Sequence, residues 1–358
     1  MKKRILFFIE TGGPGGAEQV VLQLLEGFRN LGHEVFLTTL RTGWLTQTAE
    51  ERGFEYHQII SENGLDLSLP IKIARLIKSL NIDVLHTHLL DSNFYGAIAA
   101  KFSSISHIGT EHGDVHHINK KKFLKLKLLI ASSGRSRLTA VSEFSAKKLI
   151  SLGVRANKVV VVPNPVKEPA SVGKRVKARE SLGVSSDWVW VHVGNLRPVK
   201  DQATLIRGFA QSLLLTTKTQ KLILVGDGNE RENLTSLVNE LGVSDNVIFI
   251  GHSDEVDFYL SAADGFLMSS ISESMPMALL EAISYSLYPI CSAVGGIPEL
   301  LPEDQLFEAG DFKKLGQLCA NVLESQEQSK VIAERFSQRV QSERSLNSVC
   351  QKYLGIYG

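Results

Sequence analysis

The stretch Ser269-Ser-Ile-Ser-Glu273-Ser-Met-Pro276-Met-Ala-Leu-Leu-Glu281-Ala-Ile-Ser-Tyr-Ser-Leu-Tyr-Pro-Ile-Cys291-Ser-Ala-Val-Gly295-Gly-Ile-Pro-Glu299 decides how the rest of the chain is read. An apolar run, Gly265–Met268, leads into it as a strand end. A polar loop follows and enters a helix, with Ser274 as its expected N-cap and Pro276 in its first turn. Glu273 and Glu281 bracket that turn. A helix start offers unpaired N–H groups and a partial positive charge, which suit a phosphate. A carboxylate beside it suits sugar hydroxyls.

Working outward, short apolar runs alternate with helical patterns, the rhythm of βαβ units around parallel sheets. In the first half strands are expected at 4–9, 34–40, 54–58, 84–88, 107–111, 138–141 and 158–162. In the second half they are expected at 188–193, 221–225, 247–250, 265–268, 288–291 and 305–307. The clearest early helix is 17–31, where Val20, Val21, Leu24, Leu25 and Phe28 make one apolar face. Helices are expected at about 201–215, 230–242, 254–263, 275–286 and 311–325. Pro163-Asn-Pro165 and Pro169 interrupt the pattern. The reading is an α/β chain of two tandem Rossmann-like, doubly wound domains facing a cleft: 1–167, 168–335, and a tail helix over 336–358 crossing back to the first.

Composition narrows the function. Among 358 residues the net charge is +1, so no overall field argues for nucleic acid. Three widely spaced cysteines, Cys291, Cys319 and Cys350, suit neither a disulfide framework nor a Cys-x-x-Cys metal site. They point to a reducing, cytoplasmic location. The apolar run after Met-Lys-Lys-Arg is far too short for a signal core, and Glu10 ends it. No apolar run has the length of a membrane span.

The loops after the second-domain strands carry the chemistry. One reads Gly194-Asn195-Leu-Arg197-Pro-Val-Lys200-Asp201, with two cations able to neutralise a diphosphate. Another reads Gly226-Asp-Gly-Asn-Glu-Arg231, an incomplete dinucleotide turn. The third is the Glu273 loop and the fourth contains Gly295-Gly296, which permits close backbone approach. In open α/β sheets such loops lie beyond the carboxyl ends of the strands, where ligands bind.

Together these loops resemble the family 4 retaining glycosyltransferases of the GT-B architecture. The signature is Glu273-Ser-Met-Pro-Met-Ala-Leu-Leu-Glu281 followed by Gly295-Gly-Ile-Pro-Glu299, with Gly194–Lys200 and Val225–Gly228 as further matches. In the first half, Thr11-Gly-Gly-Pro-Gly15-Gly16-Ala-Glu18, His86-Thr-His88 and Thr110-Glu111-His112-Gly agree with it. The resemblance implies a nucleoside diphosphate sugar as donor, UDP ahead of GDP, and a hydroxyl of a glycan or lipid-linked glycan as acceptor. It implies no cofactor and no metal. It places Arg197 and Lys200 at the donor diphosphate, Asn195 and Gly226 elsewhere in the donor site, and Glu273 with Ser274, Met275, Pro276 and Met277 at the donor sugar. Glu281 falls at the ribose, Gly15 and Gly16 at the donor–acceptor junction, and His112 at the reacting centre with Glu273. His86, His88 and Glu111 fall on the acceptor side. The chain departs from the family pattern at Gln19, Asn195, Asp201, Ser274 and the turn Ser284-Tyr-Ser286-Leu-Tyr288, which bears on donor and acceptor choice.

Other readings are weaker. His86 and His88 share a strand face and could bind a metal with His112, His116 or His117, but residues lining a site are the better reading. No Gly-x-Ser-x-Gly elbow supports a hydrolase, and no complete glycine fingerprint supports a nicotinamide enzyme. A sugar-nucleotide epimerase and a non-catalytic sugar-nucleotide-binding subunit stay as alternatives. From Lys120 to Arg137, basic residues surround Phe123, Leu124, Leu126, Leu128, Leu129 and Ile130. Such a segment is a candidate contact for an anionic membrane face, or an ordinary surface helix with a solvated basic side.

Overall fold

The structure is a computed structural model that describes residues 1–61, 66–113, 121–169 and 174–357. The chain divides into two compact units. One comprises Met1–Pro165 together with Arg344–Gly358; the other is Val166–Glu343. The expected tail segment is therefore shared between the units, which part at Arg344.

The first unit contains β1 (Arg4–Ile9), α1 (Gly16–Asn30), β2 (Glu34–Thr39), α2 (Trp44–Glu51), β3 (Glu55–Gln58) and α3 (Leu69–Ser79). It continues with β4 (Val84–His88), α4 (Leu90–Ser103), β5 (Ser106–Glu111), α5 (Lys121–Ala131), β6 (Arg137–Ala140), α6 (Glu143–Ser151) and β7 (Val159–Val161). Its parallel sheet runs β3-β2-β1-β4-β5-β6-β7. Ile5 to Ile9 are completely buried, as expected of a central strand covered on both faces.

The second unit contains α7 (Arg175–Ser181), β8 (Trp188–Val193), α8 (Gln202–Leu215), β9 (Gln220–Val225), α9 (Arg231–Glu240), β10 (Val247–Gly251) and α10 (Val256–Ala262). Then come β11 (Gly265–Met268), α11 (Met277–Ser284), β12 (Tyr288–Ser292), β13 (Leu306–Phe307), α12 (Phe312–Glu324) and α13 (Gln326–Arg344). Its sheet, also parallel, runs β10-β9-β8-β11-β12-β13. The core is built from Trp188, Trp190, Phe209, Leu222, Leu224, Leu267 and Ile290. In each sheet the strand order reverses, at β1/β4 and at β8/β11, and a ligand crevice belongs beyond the carboxyl ends at such a point.

The tail adds α14 (Leu346–Tyr357) to the first unit. Tyr353 and Tyr357 are fully buried there, Tyr357 stacking on Phe28 with ring centroids 5.5 Å apart.

One local expectation changes. The helix after Glu273 starts at Met277 with Pro276 in the N-cap place, so Ser274 is not the cap. Pro276 holds an extended backbone, φ −71° and ψ 129°, which keeps Ser274 and Met275 outside the helix.

Candidate active site

In the second unit the candidate residues sit on loops laced together by backbone bonds. After β8, Gly194 N donates to Val225 O at 3.0 Å and Leu196 N to Asp227 O at 3.0 Å; Glu230 N returns a bond to Leu196 O at 3.2 Å. This zipper requires Gly226: its φ is +133°, and a β-carbon there would overlap the Gly194 carbonyl. The loop next to β11 joins the same assembly. Ile271 N donates to Val199 O at 2.9 Å, and Ser269 Oγ donates to Asp201 O at 2.7 Å.

Lys200 and Glu273 meet where these loops converge, with Lys200 Nζ 2.6 Å from Glu273 Oε1. Both side chains are partly buried, so the pair is more strongly coupled than an exposed one. Arg197 and Asn195 are exposed on the same loop, and Arg197 has no ion pair among the described residues. The Gly295-Gly296 turn packs against the Glu273 backbone. Gly295 has φ +61°, a β-carbon on it would overlap the Glu273 carbonyl, and Gly296 N donates to Ser274 O at 2.8 Å. The glycine pair thus supports the glutamate loop itself.

Ser274, Met275, Pro276 and Met277 are buried. Ser274 Oγ has no hydrogen-bond partner among the described residues. Glu281 lies one helical face along α11, where burial raises its pKa to about 7; Asp257 adds to the rise and Lys167 opposes it. Beneath the loops His192 Nδ1 donates to Leu267 O at 2.9 Å, and its Nε2 accepts from Gln202 Nε2 at 3.2 Å. Gln202 also holds Asn195 O at 3.0 Å. Burial drives His192 down to about 4, so it stays neutral and serves as scaffolding.

In the first unit Gly15 occupies the N-cap of α1 and Gly16 its first position. Glu18 folds back on this loop, accepting from Thr11 Oγ1 at 2.5 Å. At the ends of β4 and β5 the structure places four of the expected residues. His86 is completely buried, with Nδ1 2.8 Å from Tyr357 Oη and Nε2 2.8 Å from Thr110 Oγ1. It therefore lies beneath the surface, engaged on both sides by protein groups. His88 stacks on His86 with ring centroids 4.4 Å apart, and its Nδ1 is 2.7 Å from His112 Nε2. Glu111 is 4% exposed and accepts from Asn93 Nδ2 at 2.7 Å. Burial pushes its pKa up to about 8.

Sequence reasoning missed one carboxylate of this unit. Glu10, read only as the end of an apolar run, accepts from Ser92 N at 2.5 Å and Ser92 Oγ at 2.8 Å. Burial raises its pKa to about 7, the Ser92 hydroxyl opposing and Asp91 adding. A carboxylate at the end of a buried strand was the available signal. Tyr353 and Tyr357 gave none, because they reach β4 and β5 from the far end of the chain.

Among the described residues no three His, Cys, Asp or Glu side chains are grouped to hold a metal ion. His116, His117 and Lys120 lie outside the described residues.

Comparison with known proteins identifies the family and the fold. Residues 14–168 match the model of Glycosyltransferase Family 4, and residues 174–339 match that of Glycosyl transferases group 1. The chain is 27% identical to N-acetyl-alpha-D-glucosaminyl L-malate synthase of Bacillus anthracis, over 96% of this chain and 93% of the other. It is 26% identical to UDP-Gal:alpha-D-GlcNAc-diphosphoundecaprenol alpha-1,3-galactosyltransferase of Escherichia coli, over 78% and 77%. Among solved structures, Anabaena HepE in complex with UDP superimposes with a TM-score of 0.86 over 99% of both chains, at 22% identity. The fold is the tandem Rossmann-like GT-B fold, and the chain belongs to the family 4, group 1 glycosyltransferases, a family of transferases.

Proposed function

We propose that this transferase moves a sugar from a UDP-sugar to a hydroxyl of a glycan or lipid-linked glycan, with retention at the anomeric carbon. The observation that carries the reading is the Lys200–Glu273 pair, held at 2.6 Å on two interlaced loops where the sheet order reverses. The names of the relatives support the donor class. The Escherichia coli relative is named for UDP-Gal and a diphosphoundecaprenol acceptor, and the Anabaena structure contains UDP.

On this reading Lys200 and Arg197 meet the charge that builds on the departing diphosphate, helped by the backbone N–H of Met277 at the start of α11. When Lys200 turns to phosphate, Glu273 is released to accept from sugar hydroxyls. Glu281, once ionised, accepts from the ribose. His112 is given to the reacting centre on the family resemblance. Glu273 and Glu281 grip the donor, and no pair of carboxylates acts as in glycosidases.

Lipid-linked acceptors would bring the protein to the cytoplasmic face of a membrane. The α5 helix suits that surface: Phe123 is 59% exposed, Leu126 52% and Leu129 48%, with Lys125 beside them. No described helix is long and apolar enough to cross a membrane, so contact would lie on the surface, through buried apolar side chains and attraction to anionic headgroups.

The test is a panel of UDP-, GDP- and ADP-sugars, read by thermal shift and by nucleotide release with lipid-linked or oligosaccharide acceptors. A UDP-sugar should raise the melting temperature and turn over, giving a product whose anomeric proton signal matches the donor's configuration. Binding of no nucleotide sugar, or an inverted product, would defeat the proposal.

A further inference from the structure

His88 and His112 share a single short contact, Nδ1 to Nε2 at 2.7 Å. At this separation one nitrogen must donate and the other accept. Both rings are neutral near pH 7, since burial holds His88 well below the usual histidine range and lowers His112 to about 4. The direction of the bond therefore fixes both tautomers.

The other nitrogen of His88 decides that direction. His88 Nε2 is buried and has no partner among the described residues. If His88 Nδ1 accepted, this Nε2 would carry an N–H with nothing to receive it. If His88 Nδ1 donates, Nε2 is left as a bare lone pair. Orphaned buried N–H groups are the rarer and more costly of the two.

The same unit contains an independent instance. Asn93 Nδ2 donates to Glu111 Oε1, so Asn93 Oδ1 is the acceptor that faces Thr87. Thr87 spends its only proton there, at 2.6 Å, and must accept from His107 Nε2 at 2.8 Å. His107 Nδ1, buried and unpartnered, is thus a lone pair.

We infer that His88 is a positioning residue: its Nδ1–H donates to His112 Nε2 and holds His112 in the tautomer whose proton is on Nδ1. His86 braces His88 from below, stacked at 4.4 Å and tied on both nitrogens to Tyr357 and Thr110. The ring of His112 is consequently fixed in orientation and presents an N–H, a hydrogen-bond donor, on its far side. A group built in this way meets an oxygen of the substrate and does not act as a base through that nitrogen. The kinetic part of this inference rests on the proposed role of His112; the tautomer does not.

The test is nitrogen-15 NMR of histidine-labelled full-length protein, with His112 identified by the signals lost in His112→Gln. The inference expects the proton of His112 on Nδ1. In His88→Asn the amide N–H replaces the donor, so His112 keeps this tautomer and kcat stays above that of His88→Leu. In His88→Leu the tautomer preference is lost and kcat falls by about tenfold or more, with the donor KM unchanged. A wild-type His112 protonated on Nε2 overturns the assignment, whatever the activity. An unchanged kcat in His88→Leu overturns the positioning role. Should His88→Leu fail to fold, the wild-type spectrum and His88→Asn decide the matter.

Discussion

Asp201 and Ser286 hold backbone conformations that favour glycine, with φ of +45° and +56°. Both belong to the places where the chain departs from the pattern of the resembled family. Asp201 recovers part of the strain by capping α8, its side chain accepting from Thr204 N at 3.3 Å. No such bond ties the Ser286 side chain among the described residues. Replacing Ser286 with glycine should therefore stabilise the protein by roughly 0.5–1 kcal/mol, measured by urea denaturation. A loss of stability would show that Ser286 is held by something other than its backbone. Titration belongs to this scale too. Glu111 takes up its proton at about 8 when folded, well above an ordinary glutamate. A raised carboxyl pKa adds stability that is complete below the unfolded value and is lost as pH rises through the folded one. Wild type should therefore melt at a lower temperature at pH 8.5 than at pH 6.5, and Glu111→Gln should lessen that difference. Glu281, raised to about 7, gives the matching ligand effect: affinity for UDP should climb as pH rises through 7, and Glu281→Gln should flatten the climb.

At the scale of elements, the strand runs were legible because each is a short apolar stretch bounded by loop residues. Trp188–Val193 and Gly265–Met268 are where the sequence places them. Helix α11 starts later than its composition suggests, since Pro276 stays extended and Ser274 does not cap it. The loops carrying Lys200 and Glu273 were legible as separate motifs, but their interlacing was not, because it is made by backbone groups that every residue possesses. The role of α14 was illegible for a different reason: Tyr357 bonds His86 across 271 residues, and no local pattern reports such a contact. Tyr357→Phe removes that hydroxyl and leaves a buried imidazole nitrogen without its partner. The first unit should lose about 1–3 kcal/mol, seen in denaturation followed by histidine or tyrosine signals. For α5, Leu126→Glu places a charge in the exposed apolar stripe. It should abolish pelleting with anionic vesicles at low salt while leaving UDP-sugar binding intact; pelleting that persists would remove α5 from the account.

At the scale of the molecule, two parallel α/β units carry their candidate residues at the same place in each sheet, beyond the strand ends where the order reverses. The second unit gathers the cations and the two glutamates. The first gathers neutral groups, with histidines kept uncharged by burial and Glu111 raised beyond neutrality. On the proposed reading Lys200 and Arg197 hold a nucleoside diphosphate beside Glu273. Calorimetric titration of UDP into wild type and into Lys200→Ala combined with Arg197→Ala tests it most directly. UDP should bind wild type and lose affinity by at least about tenfold, about 1.4 kcal/mol, in the double variant. Equal affinity in the two proteins would contradict it.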